Sequence, residues 1–332
     1  MSSLRPAIAL VLAATVLAGA TACTHDAKPA TGSSASASAS PSATEAKPGP
    51  PAATQGDAAA ILDSYNTRNA AASAASDQFD FSQWETADTG YVLEGDIFGT
   101  KRDQARHTLS PDIYPIEAGN PWTFSGNPVL YAPSGTNWIL VAADDNDGER
   151  TLLHFTRESA DANWRVAGLA DVPAGSPAAA EPGVASTASK EDVAVAVKGA
   201  EAILDTFSTS PTRPEVTFVG DLEESKRRFE DTRWMLGADT WTLTSRFAGE
   251  PSEAVRVVKT VDGKALAFLT MLFDAEFHSD GPKLRHDDDY AAVLNEHEPT
   301  DKLSYRYAGF VTFTVDAAGT PTMLGSGGTA LG

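Results

Sequence analysis

Cysteine is all but missing from this chain, with one thiol, Cys23, in 332 residues. No intramolecular disulfide can form, and thiol catalysis and cysteine-ligated zinc are excluded by the same count. Positive charge is scarce too. Lys and Arg number 25 against 45 Asp and Glu, a formal net charge of −20. The deficit is spread along the chain: residues 57–172 carry 18 acids and 7 bases, and residues 190–332 carry 24 and 15. Phosphate backbones are held by clustered Lys and Arg, so no nucleic acid is expected as a partner. The acidity reads as a device for solubility. No apolar run is long enough to span a bilayer. The longest, Ala7 to Ala18, falls short of the roughly 20 residues that a spanning helix needs.

That short run nevertheless has a setting. Met1 to Pro6 carries one positive side chain, Arg5, and the apolar stretch ends in Leu17-Ala18-Gly19-Ala20-Thr21-Ala22-Cys23. This is the three-part plan of a removable export signal, residues 1–22. Small residues before Cys23 suit a lipoprotein signal peptidase, with the thiolate as the nucleophile that accepts the lipid. Acyl chains would then hold the protein at the membrane, each buried methylene adding about 0.8 kcal/mol. Ala20-Thr21-Ala22 is also an A-x-A site for plain secretion. The expected location is the extracytoplasmic face of the cell membrane, with the membrane itself a partner through the anchor.

Residues 23–56 are nearly all Ala, Ser, Pro, Thr and Gly. Such a segment buries too little apolar surface to offset its ordering entropy and is expected to form a disordered stalk. A second stretch of the same character, 173–189, divides the remainder into blocks 57–172 and 190–332, each of ordinary domain size.

The two blocks repeat one another. Ala60-Ile61-Leu62-Asp63-Ser64-Tyr65-Asn66-Thr67 parallels Ala202-Ile203-Leu204-Asp205-Thr206-Phe207-Ser208-Thr209. The Ile-Leu-x-x-aromatic spacing puts an apolar stripe on one helical face in each. Trp122 and Trp241 then lead strands. Hairpins follow through Ser134-Gly135 and Asp262-Gly263, where glycine accepts positive φ without strain. An amphipathic stretch near Tyr91–His107 and the charged Asp221–Trp234 segment, with Leu222, Phe229 and Trp234 toward the sheet, are further helices. Helices followed by antiparallel strands argue for an α+β class. The expected architecture is two tandem domains, each a helix packed on a curved antiparallel sheet, nuclear-transport-factor-like or cystatin-like. The tryptophans are expected in the cores.

The signal, the stalk, Tyr65-Asn66-Thr67-Arg68-Asn69-Ala70, the Glu85-Thr86-Ala87-Asp88-Thr89-Gly90 step and the Val255–Leu269 hairpin together resemble a group of actinobacterial lipoproteins defined by a domain of unknown function. The resemblance covers roughly residues 57–332. It implies an exported lipoprotein and supplies no catalytic residue.

Chemistry-bearing patterns are few. Asp144 to Glu149 fails as a calcium loop, because the twelfth position would be His154, and it reads as a hairpin turn. His278, His286, Asp288 and His297 are where a divalent ion would sit, but no H-E-x-x-H or paired helical spacing organises them. A solvated loop is the expectation, with no metal and no cofactor. His107 and His154 have no activated serine near in sequence, and are expected at the surface or half-buried. The glycine-rich terminus, Gly325 to Gly332, precedes no helix and is expected to fray. A non-catalytic role follows, binding a protein or small-molecule ligand at the envelope. The alternative is a hydrolase- or isomerase-type enzyme using a pocket in one domain.

Overall fold

The computed structural model describes residues 53–114, 121–177, 187–208, 238–295 and 297–331. Cys23, the Asp221–Trp234 segment and the middle of the linker lie outside them. The chain runs α1 (Ala58–Ser76), α2 (Trp84–Ala87), α3 (Gly90–Leu109), β1 (Phe124–Tyr131), β2 (Trp138–Asp145), β3 (Arg150–Thr156) and β4 (Arg165–Val172). It continues with α4 (Lys190–Phe207), β5 (Thr240–Phe247), α5 (Pro251–Ala254), β6 (Val255–Lys259), β7 (Ala265–His278), α6 (Asp288–Leu294), β8 (Lys302–Val315) and β9 (Pro321–Leu331). This is a mixed α+β fold dominated by one large antiparallel sheet.

Local sequence explains most of these elements. Ile61, Tyr65, Asn69 and Ala72 recur at helical spacing and form the buried stripe of α1. Helix α4 opens with a capping box in which Ser189 Oγ accepts from the Asp192 amide at 3.1 Å and Asp192 accepts from the Ser189 amide at 2.9 Å. The expected turns at Gly135, Gly148 and Gly263 all have positive φ. The acidic Asp144–Glu149 run is the β2–β3 turn, where Asp145 Oδ1 accepts from the amides of Asp147 and Glu149 at 2.9 Å each.

The Tyr-Asn-Thr-Arg-Asn word in α1 works as a clamp. Asn66 exchanges two hydrogen bonds with the Phe124 backbone, at 2.8 and 2.9 Å, and Asn69 donates to the Trp122 carbonyl at 2.8 Å. Arg68 donates to the carbonyls of Thr86 and Trp164. The helix is thereby tied to the start of β1, to α2 and to the approach to β4. Backbone groups at these strand ends find side-chain partners where no ladder reaches them.

Strand order is β1-β2-β3-β4-β9-β8-β7-β5, with β6 also on β7. The two blocks therefore share one sheet, joined where Asp171 of β4 pairs with Ser326 of β9. The sheet folds over on itself. Ala267, Leu269, Met271 and Phe273 of β7 pack with α4 in one core. Leu266, Phe268 and Leu272, on the other face of β7, join Phe310 and the β2–β4 strands in a second core. Burial on both faces is why β7 reads as a nearly unbroken apolar run from Ala265 to Phe273.

The glycine-rich terminus does not fray. Residues 321–331 are β9, the strand that joins the two halves. A Cβ on Gly325 would fall 1.6 Å from the Asp171 carbonyl oxygen, and one on Gly327 would fall 2.3 Å from that of Leu169. The glycines are there because the β4 backbone occupies the side-chain space. The sequence pattern missed this because a strand that accommodates a neighbouring backbone shows no apolar alternation. Of the tryptophans, Trp138 and Trp164 are buried, while Trp84, Trp122 and Trp241 are half-buried.

Gly325→Ala should therefore lower stability by about 3 kcal/mol through overpacking against backbone. Gly99→Ala is its control. That position, within α3, has open space, and the change should raise stability by about 0.5–1 kcal/mol through helix propensity. Urea unfolding of both variants measures the contrast.

Candidate functional site

Helix α3 crosses from one half to the other and ends against α6. Arg102 and Arg106, one turn apart on α3, both reach Asp289 in the first turn of α6. Arg102 Nη2 and Arg106 Nε lie 2.9 and 2.8 Å from the same carboxylate oxygen, Oδ2. The Asp289 side chain is only 8 % exposed, so two guanidiniums compensate a carboxylate that burial alone would penalise. Arg102 also stacks over the Tyr290 ring at 4.0 Å, and Phe98 meets that ring edge-on at 5.2 Å. Near the middle of α3, Gly95 lets β9 approach at Thr329.

A cleft of about 500 Å³ opens beside this junction. Its walls include Arg106, His286, Asp287 and Asp288, and an apolar ledge formed by Leu109, Ile113 and Tyr114. The ledge is a built turn. The amides of Ile113 and Tyr114 both donate to the Ser110 carbonyl, and His107 Nδ1 lies 2.9 Å from the Tyr114 carbonyl oxygen. Leu109, Ile113 and Tyr114 are 54 %, 70 % and 48 % exposed. Around them the acids are numerous: Asp103, Asp112, Asp287 and Asp288 are all exposed. Partial burial pulls His286 down to about 4, leaving its ring neutral.

His286 and Asp288 thus share one cleft. His278 stands exposed at the end of β7, paired in register with Lys302, and His297 is exposed beyond α6. Neither lines the cleft. Among the described residues no group of three or more metal-ligating side chains comes together. A second and larger cleft, about 790 Å³, lies between α4, the β6–β7 turn and the β8–β9 turn. Its lining is largely apolar, including Val195, Val315 and Leu324, and its lysines are engaged, Lys259 with Asp192 at 2.7 Å and Lys264 with Asp262 at 3.0 Å.

Two polar groupings gave no sign in the sequence. One is an acid pair under α1. Asp88 is 1 % exposed and accepts from Tyr65 Oη at 3.4 Å, with Arg68 adding a favourable field. Burial first, and the neighbouring Asp96 second, push the Asp88 carboxyl well above its usual range. Burial pushes Asp96 up to about 7. The other grouping is His154 with Arg256. His154 is buried, not at the surface or half-buried as expected, because its strand is covered by the other half of the sheet. The amphipathic stretch that became α3 was visible beforehand, but the Arg102–Arg106 pair on it was not singled out. The partners of all these groups are distant in sequence.

The acid pair carries a pH signature. Asp96 holds its proton in the folded chain up to about pH 7, well above the ordinary aspartate value of 3.8. The folded state binds the extra proton between those values, so stability falls as pH rises through that window and the deficit is complete above it. Asp96→Asn should flatten this slope and stabilise the protein at pH 8 relative to pH 5. Urea midpoints of both proteins at the two pH values test it, and equal slopes would refute the assignment.

No curated protein and no solved structure matches the chain. No described helix is long and apolar enough to cross a membrane. A family model described as a domain of unknown function, DUF8094, matches residues 50–329, spanning both blocks and the sheet that joins them. The chain belongs to that family.

Proposed function

We propose that the protein is an exported lipoprotein, acylated at Cys23 and held at the extracytoplasmic face of the cell membrane, that binds a partner protein through the α3–α6 cleft without catalysing a reaction. The observation that carries this reading is the ledge. Three of the four exposed large hydrophobic side chains among the described residues, Leu109, Ile113 and Tyr114, line this one cleft. Apolar side chains gathered beside a concave polar wall are a feature of interaction surfaces. The surrounding carboxylates suit a segment that carries Lys or Arg beside an aliphatic or aromatic side chain. The stalk of residues 23–56 would let the folded part stand off the bilayer, roughly 30 Å away as a flexible coil.

The reading includes an ancient duplication. In each half a long helix, α1 or α4, precedes the antiparallel strands, although α5 and α6 interrupt the second set; that shared helix-first order supports a repeated unit of nuclear-transport-factor or cystatin type. One observation favours the enzymatic alternative, a hydrolase or isomerase: the acid pair Asp88 and Asp96 has the raised proton affinity of an acid–base group. Neither residue lines either cleft, so the binding reading is preferred.

Two experiments test the proposal. Mass spectrometry of the mature N-terminus should find Cys23 first and acylated, and Cys23→Ala should move the protein from the membrane fraction to the medium. An unmodified mature chain beginning at or after Cys23 would overturn the anchor. In pull-downs from envelope extract, the double variant Ile113→Asp, Tyr114→Ser should retain at least about tenfold less partner, at an unchanged thermal midpoint. Equal retention would overturn the site.

A further inference from the structure

The layer between the two halves of the folded sheet holds a cation without an anion. Arg256 on β6 shares a sheet face with Val258, Leu266 and Phe268, and that face packs against β2–β4 of the first half. Across the layer stand Trp138 and His154. The Arg256 guanidinium lies 5.6 Å from the Trp138 ring centre, Trp138 meets His154 edge-on at 6.1 Å, and His154 lies 5.5 Å from Phe268. Two aromatic rings and two nitrogen-bearing side chains thus meet in one place.

The polar atoms there are unsatisfied. His154 is 5 % exposed, and neither of its ring nitrogens has a hydrogen-bond partner among the described residues. Arg256 Nε is also buried without an acceptor. The nearest acid acting on Arg256 is Glu253, which is exposed and makes no ion pair with it. Arg256 is half-buried, and buried polar atoms such as its Nε are nearly always paired. A group outside this chain that supplies negative charge and lone pairs would satisfy Arg256 Nε and whichever His154 nitrogen carries the proton.

We propose that Arg256 and His154 bind a small anion, a carboxylate or an oxyanion, at the margin of the layer between the two halves of the sheet. The guanidinium presents N–H groups in a fork that matches two oxygens of such an anion. The neutral imidazole offers one further N–H, and Trp138 and Phe268 exclude water from the flanks. Burial, with the Arg256 charge second, pulls His154 down to about 3. An anion beside it therefore raises its proton affinity. The site is separate from the α3–α6 cleft and does not depend on what that cleft binds. It lies where the two halves meet, so an occupant also ties them together.

Thermal unfolding of the full mature chain in sodium acetate and in sodium phosphate, each against sodium chloride at matched ionic strength, tests the proposal. At least one of the two anions should raise the midpoint saturably, by about 3 °C at tenfold over its Kd. The response should vanish in Arg256→Gln. Acetate alone identifies a carboxylate site, and phosphate alone an oxyanion site. Arg256→Met keeps the test independent of folding, since removing a half-buried charge without an ion-pair partner should leave the midpoint in chloride unchanged or higher. The His154 ring nitrogen resonances should shift on titration with the same anion. A response that is absent, that rises linearly without saturation, or that survives in Arg256→Gln overturns the site.

Discussion

The contact between the backbones of β4 and β9 governs how this chain is put together. Gly325 and Gly327 leave no side chain where the carbonyls of Asp171 and Leu169 pass. Because that approach is possible, the strands of both halves join one sheet. The sheet can then fold so that Phe268 and Phe310 reach Gly168 on β4, another position where a Cβ would collide. Backbone proximity here substitutes for side-chain interlock. It also commits the last residues of the chain to the middle of the sheet, and the core of the first half is completed by Val258, Leu266, Phe268, Phe310 and Leu331 of the second.

Helix α3 makes the second connection. It belongs to the first half by sequence, yet Gly95 sits on β9 and Arg102 and Arg106 close on Asp289 of α6. A carboxylate enclosed by two guanidiniums is sensitive to the loss of either partner, because a buried charge left unpaired costs more than the pair contributes. The α3–α6 cleft and its apolar ledge lie next to this junction. Binding there would act directly on the contact between the halves.

Much of the local structure was legible in advance. The stripe Ile61, Leu62 and Tyr65, the three glycine-marked turns, the α3 stretch and the hairpin reading of Asp144–Glu149 follow from spacing and turn chemistry within a few residues. The Tyr65–Asn69 word stood out before its work was visible. Its side chains serve the backbone of Phe124, Trp122, Thr86 and Trp164. The candidate site was legible only in fragments. His286 and Asp288 do share a cleft, but Leu109, Ile113 and Tyr114 lie far away in sequence, and no periodicity links them to α6. His154 gave no warning of its burial, since a histidine one strand position from Phe155 can face either water or another sheet.

Composition and short-range pattern settle the long helices α1, α3 and α4, where the chain turns, and that the fold mixes helices with antiparallel strands, because those outcomes depend on neighbours within one or two turns of chain. The tertiary structure alone decided that the glycine-rich end is the joining strand, that the halves share a sheet, and that Asp88, His154 and Arg256 lie inside. Those outcomes depend on which distant backbone passes close by. A missing side chain records that approach only once the neighbour is known.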